Sequence, residues 1–302
     1  MQEILIKAGC YIAIILLGMG LRRIGFFKAE DFSILSKIVI RITLPASVLA
    51  NTAGMEITPG LLALVGLGFF CALTQLGMAC LMNWKNSREQ LAFEMLNLPG
   101  YNIGVFAMPF VGGFLGSTGM LATSLFDGGN AFVCLGGAFG VASAVKDGAG
   151  FDVKRIFKAL GRSVPFLTYL AVTFMNLLHL RVPGPILSCA GIIGSANAFL
   201  AMLMIGVGFQ LNLDEEKLGR AIRLLVVRYS LAAVMALIFF FLLPFDLEVR
   251  RALVLLSFAP IPSSVPGFTA EMGSDVGLSC TINSLSIICS IVIMVVLLLV
   301  LL

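Results

Sequence analysis

The chain has 302 residues, of which 59% are hydrophobic and only 12% charged; the formal net charge is +4 and the mean hydropathy +1.05. A soluble domain of this length needs far more charge to cover its surface, and the apolar residues come in the long runs that a bilayer requires, roughly 20 residues per helical span. The cations form no polybasic run and no basic–aromatic stripe, so nucleic acid is not an implied partner.

Ten spans fit the sequence. They run roughly 4–21, 32–51, 58–82, 91–113, 118–145, 161–179, 186–210, 221–243, 250–271 and 276–301. The first contains the apolar stretch Cys10 to Leu21, which ends in Arg22 and Arg23 rather than in a small-residue cleavage site. That order predicts a retained span that exports its own N-terminus. Connections after odd-numbered spans carry thirteen Lys and Arg, including Arg22, Arg23, Lys85, Lys154, Arg155, Lys158 and Arg162; the opposite side carries four, Lys7, Arg181, Arg250 and Arg251. The positive-inside bias then places both termini on the non-cytoplasmic side of a cell (inner or plasma) membrane, and the longest connection, about 146–160, in the cytoplasm.

The chain's midpoint falls in that connection. Shifting the first half by 157 residues lays Pro109 on Pro266, Gly116-Ser117 on Gly273-Ser274, and the fourth span on the ninth. Each half, 1–150 and 151–302, holds five spans. Five is odd, so the second half enters the membrane in the opposite sense, which is the inverted-repeat plan of many secondary transporters.

The fourth span reads Asn97-Leu98-Pro99-Gly100-Tyr101-Asn102-Ile103-Gly104 and reaches Pro109; the ninth contains Pro260, Pro262, Ser263, Ser264 and Pro266. Each proline removes a donor and clashes with the preceding turn, so both spans are predicted to break. Backbone groups freed in this way cannot face lipid and must face protein or a wet cavity, where a half-helix N-terminus is a natural seat for an anion. Asn97, Tyr101, Asn102, Ser263 and Ser264 add hydrogen-bonding side chains at the same depth.

The run Asn97 to Gly104 ending in Met108-Pro109, together with Leu125-Phe126-Asp127-Gly128-Gly129-Asn130 and Ile42-Thr43-Leu44-Pro45-Ala46, resembles the auxin efflux carrier family, in particular its short prokaryotic members. The resemblance covers essentially the whole chain. It implies an all-α integral membrane protein of ten transmembrane helices in two inverted five-helix repeats, similar to the bile acid sodium symporter fold, with broken helices four and nine crossing. Spans 1, 2, 6 and 7 would form a scaffold, and spans 3–5 and 8–10 a moving transport domain. The cargo it implies is a small organic anion: auxin-like acids in plants, malonate- or malate-like acids in bacteria. Asn102 matches the crossover asparagine of the family motif, and a homodimer through the scaffold is a further expectation.

Ionisable groups inside a bilayer are costly and usually functional. Asp127 lies well inside the fifth span, beside Gly128, Gly129 and Asn130. It is expected either to bind a proton or to support the crossover. Asn283 in the tenth span either faces the crossover or joins helices. Arg41 is expected to snorkel to the interface. Glu94, Arg228 and His179 are read as interfacial, Glu271 as a rim residue, and Gly136-x-x-x-Gly140 as a tight packing motif. The seven cysteines are read as small core residues, with no metal or cofactor implied. An enzyme is disfavoured: there is no H-E-x-x-H, no G-x-S-x-G, no Cys/His cluster and no P-loop. The expected function is therefore secondary transport of a small carboxylate by elevator-type alternating access. A sodium- or proton-coupled carrier of another cargo, and more remotely a receptor or channel, are the alternatives.

Overall fold

The computed structural model describes residues 2–28, 30–147, 153–210 and 215–302, and only the backbone of Glu3, Ile4, Glu215 and Glu216. The described residues are helical throughout, with no strand. The helices are α1 Gln2–Arg23, α2 Asp31–Thr52, α3 Pro59–Asn83, α4 Arg88–Asn97, α5 Ile103–Phe114, α6 Gly116–Asp147, α7 Val153–Leu160, α8 Val164–Leu177, α9 Gly184–Gly208, α10 Glu215–Phe241, α11 Leu247–Ser257, α12 Val265–Glu271 and α13 Val276–Leu301. Seven of them, α1, α2, α3, α6, α9, α10 and α13, are long and apolar enough to cross a membrane. The chain is thus a multi-pass membrane protein. Large apolar side chains such as Phe70, Ile192, Phe241 and Val300 stand exposed on its outer helix faces, as lipid contact requires.

Short polar residues start several helices. The side chains of Thr58, Ser87, Ser163 and Asp275 accept from the backbone N–H of Leu61, Gln90, Phe166 and Leu278, capping α3, α4, α8 and α13. Prolines shape the interiors. Pro45 and Pro109 each follow a single turn of π-helix, Val39–Thr43 and Ile103–Ala107. In each, the residue after the wide turn donates five residues back, Leu44 to Val39 and Met108 to Ile103. The wide turn absorbs the missing donor and the ring clash that a proline imposes on an α-helix.

Two sets of helices pack closely. α1 lies along α9, and α9 and α8 lie against α2. α3 packs on α6 and α4, while α10 packs on α11 and α13 and α12 on α13; α11 then joins the two groups by contact with α6. The tightest approach is α3 on α6: a Cβ on Gly129 would stand 1.8 Å from the carbonyl oxygen of Val65, and one on Gly68 1.9 Å from that of Phe126. Gly136 lies in a π-turn, Val133–Gly137, and packs less closely: a Cβ there would stand 3.7 Å from Ile156, an ordinary van der Waals contact.

One other expectation changes: Cys10 and Cys189 are exposed rather than in the core, whereas Cys71 is buried. Glu94 is buried within the protein, its Oε2 accepting from Asn83 Nδ2 at 2.5 Å and its Oε1 paired with Arg223 Nη2 at 3.0 Å. Arg41 and Glu271 do lie at exposed positions, Glu271 paired with Arg155.

Gly129→Val is expected to separate α3 from α6, because the obstructing atoms are backbone and cannot rotate away. The loss should reach the upper end of the usual overpacking penalty, about 1–3 kcal/mol. Thermal unfolding of the detergent-purified protein measures it; an unchanged midpoint would contradict the contact.

Candidate functional site

α4 and α11 both stop short, and their ends converge. At the first break Pro99 cannot donate, and Gly100 takes a left-handed conformation (φ 85°) that turns the chain back; a Cβ there would also stand 2.4 Å from Cys134 Sγ. At the second break Pro260 and Pro262 hold the chain off helical geometry from Ala259 until α12 begins. The two breaks touch through main chain: the Asn102 N–H donates to the Pro260 carbonyl at 2.8 Å.

A helix C-terminus leaves carbonyls without donors and carries partial negative charge. Here two such ends point at one guanidinium. Arg228 Nη1 donates to the Leu98 carbonyl, and Nη2 to the carbonyls of Gly100 at 2.6 Å and Ala259 at 2.9 Å. Gln75 Oε1 lies 3.5 Å from Nη1, and the cation sits 5.3 Å from the centre of the Tyr101 ring. Arg228 is 1% exposed, and no carboxylate is among its hydrogen-bond partners in the described residues.

Side chains satisfy the remaining freed backbone. Asn130 pairs with Tyr101 as a strand would: its Oδ1 accepts from Tyr101 N at 3.1 Å and its Nδ2 donates to Tyr101 O at 2.9 Å. Gln75 Oε1 accepts from Gly100 N. At the second break Asn283 Nδ2 donates to the carbonyls of Ile261 at 3.0 Å and Pro262 at 3.2 Å, and Ser286 Oγ accepts from Ile261 N. Buried main chain outside helices is tolerated where its groups find such partners.

Two cavities flank the contact. One, of about 270 Å³, is lined by Asn102, Ser263, Ser264, Pro266 and Asn283 on one side and by Arg22, Phe32 and Met204 on the other. The second, of about 160 Å³, is lined by Tyr101, Asn102, Asp127, Asn130, Ser263 and Ser264, facing Leu44 and Tyr169. Asn102, Ser263 and Ser264 line both. Asn102 is 5% exposed, and its Nδ2 has no hydrogen-bond partner among the described residues. In the second cavity Asp127 accepts from Asn130 Nδ2 at 2.9 Å and from the Tyr169 hydroxyl at 2.8 Å.

Eight of the ten expected site residues therefore meet at the breaks: Tyr101, Asn102, Ser263, Ser264, Pro266, Asp127, Asn130 and Asn283. Asn97 and Pro109 line neither cavity. Asn97 is fully buried and ties α4 to α12 and α13, donating to Thr269 Oγ1 and accepting from Ser279 Oγ. Pro109 is buried, and its carbonyl accepts from the Tyr11 hydroxyl. Sequence reasoning missed Arg228, Gln75, Tyr169 and Ser286. An apolar run beginning at 221 puts Arg228 near a span end. α10 begins at Glu215, so Arg228 lies about midway along it. An arginine at the centre of so long an apolar helix was the available signal.

The cavities offer an amide donor without a partner and two hydroxyls, with the charge of Arg228 buried behind them and lining neither, a set chemically suited to an anionic group. No group of three or more His, Cys, Asp or Glu that could hold a metal ion occurs among the described residues. Compared with known proteins, the chain matches no family model and no curated protein.

Replacing Arg228 by Met leaves three buried carbonyls short of a donor and should cost about 3 kcal/mol or more. Arg228→Lys keeps the charge but cannot span acceptors on both breaks, so its stability should fall between the two. Thermal unfolding of the three proteins gives the order; equal midpoints for Arg228 and Met would refute the clamp.

Proposed function

We propose that the chain is a secondary transporter of a small organic anion, of the auxin efflux carrier type, working by elevator-like alternating access. The observation that carries this reading is Arg228, a buried cation without a carboxylate partner where two interrupted helices meet, beside the unpartnered amide of Asn102. Charge is weakly screened in such a setting, so a carboxylate entering the cavity beside Pro266 and Asn283, which Arg22 lines and Asp127 does not, is attracted and oriented.

In this reading α4 with α5 and α11 with α12 each make one span. Together with α8 and the seven long helices they give ten, in two inverted repeats divided near residues 150 and 151. Recurring contacts support the repeat: α3 on α6 is matched by α10 on α13, and α1 on α9 by α8 on α2. α1, α2, α8 and α9 form the scaffold, and α3–α6 with α10–α13 the moving body. Both cavities lie along the boundary between these sets. The chain sits in a cell membrane with both termini outside.

The Tyr169–Asp127 hydrogen bond crosses that boundary and favours a proton as the coupling ion. Ionised Asp127 holds the scaffold through Tyr169; a proton removes its charge and loosens the hold. A carrier of the same build with a different cargo is the competing outcome.

The test is uptake of labelled malonate, malate and aromatic acids into liposomes containing the purified protein. Asn102→Ala should lower carboxylate uptake about tenfold or more, the usual effect of removing a donor to a charged group. Wild-type rates in that variant would reject the site, and uptake of none of these acids would reject the cargo. Asp127→Asn should abolish pH-gradient-driven uptake while sparing counterflow exchange; equal loss of both would assign Asp127 a structural role.

A further inference from the structure

α7 is an eight-residue helix with two distinct faces. Val153, Ile156, Phe157 and Leu160 recur at helical spacing on one side, and Lys154, Arg155 and Lys158 lie off it. Ile156 and Leu160 are buried against Ala131, whereas Val153 and Phe157 are exposed. An apolar, partly exposed face flanked by cations is the pattern of a helix lying in the membrane interface.

A cavity of about 570 Å³ opens beside α7, and Arg41, Arg155, Lys158 and Arg162 line it. Arg155 pairs with Glu271 and lies over the Phe139 ring. Among the described residues, Arg41, Lys158 and Arg162 make no ion pair and no carboxylate lines the cavity. Its floor is apolar, including Leu135, Phe139 and Pro165.

Val164 lines this cavity and also a larger one, of about 760 Å³, between α2, α8 and α9. The larger groove is walled by Pro45, Leu49, Leu167, Ala171, Met175 and Ile193 and carries no charged residue. It follows α8 from Val164 to Met175, about 16 Å of helix rise, close to the depth of one leaflet of a ~30 Å hydrocarbon core. Three cations at the rim and an apolar channel one leaflet deep are the two halves of a phospholipid.

We infer that these adjoining cavities, which share Val164, together bind one anionic phospholipid. Its phosphodiester lies among Arg41, Lys158 and Arg162, and an acyl chain runs along the groove past Leu49 and Ala171. A soluble anion would account for the cations and leave the groove unfilled. A second copy of the chain would account for the groove and leave the cations unmatched.

The experiment uses the full-length protein, delipidated in detergent, with phosphatidylglycerol, phosphatidylcholine or inorganic phosphate added. Lipid retention is read by native mass spectrometry and stability by thermal unfolding. Phosphatidylglycerol should be retained and raise the unfolding midpoint by several degrees, phosphatidylcholine less, and phosphate not at all. The triple variant Arg41→Gln, Lys158→Gln, Arg162→Gln should lose phosphatidylglycerol retention by about tenfold or more. Ala171→Trp, which blocks the groove, should lose both lipids. Should the triple variant not fold, Arg162→Gln alone, at the exposed rim, should still weaken retention of phosphatidylglycerol relative to phosphatidylcholine. Equal retention of the two lipids, an equal shift with phosphate, or undiminished retention in the charge variants would overturn the site. So would an Ala171→Trp protein that changes oligomeric state yet keeps its lipid. Retention is measured without transport, so the result stands apart from the identity of the cargo.

Discussion

One arginine holds the interior together. Two helices end inside the protein, and each end leaves carbonyls that lipid cannot satisfy. Arg228 reaches Leu98 and Gly100 at one end and Ala259 at the other, from a third helix. The planar fork of donors suits this task; an ammonium on a flexible stem does not. Asn130, Asn283, Gln75 and Ser286 then complete the local pairing, each doing with a side chain what a neighbouring strand does in a soluble protein. The breaks are therefore fixed structures, and the cavities beside them inherit that rigidity.

Breaking helices in this way costs regular hydrogen bonds, and the fold limits the cost by keeping the other helices close. Gly68 and Gly129 let α3 and α6 approach until a methyl group would collide with main chain. Such packing replaces the hydrophobic drive that is absent between helices in lipid. The π-turns before Pro45 and Pro109 serve the same end, since they carry a proline through a helix without an open gap.

Much of this was legible in the sequence. Long apolar runs announced the membrane, and Pro99-Gly100 and Pro260-x-Pro262 announced both interruptions, because a proline's missing donor acts locally whatever surrounds it. Asn102, Asp127 and Asn130 were read correctly as neighbours of the break, being polar residues in apolar surroundings. What stayed hidden depends on helix ends and on three-dimensional approach. Arg228 reads as interfacial because its place depends on where α10 starts, and the burial of Glu94 is unseen because it depends on what packs over it. Asn97 looks in sequence like Asn102 but faces α12 and α13 instead of a cavity, a difference set by the break that lies between them.

Arg228 belongs to α10, and its acceptors belong to the ends of α4 and α11. If those helices shift together relative to α1, α2, α8 and α9, the charge of Arg228 shifts with them. A membrane potential does work on such a charge, about 2.3 kcal/mol per 100 mV for a full crossing. A carboxylate cargo of the kind proposed would add a charge of opposite sign. The empty and the loaded forms would then feel the field differently, and voltage would bias the two halves of the cycle unequally.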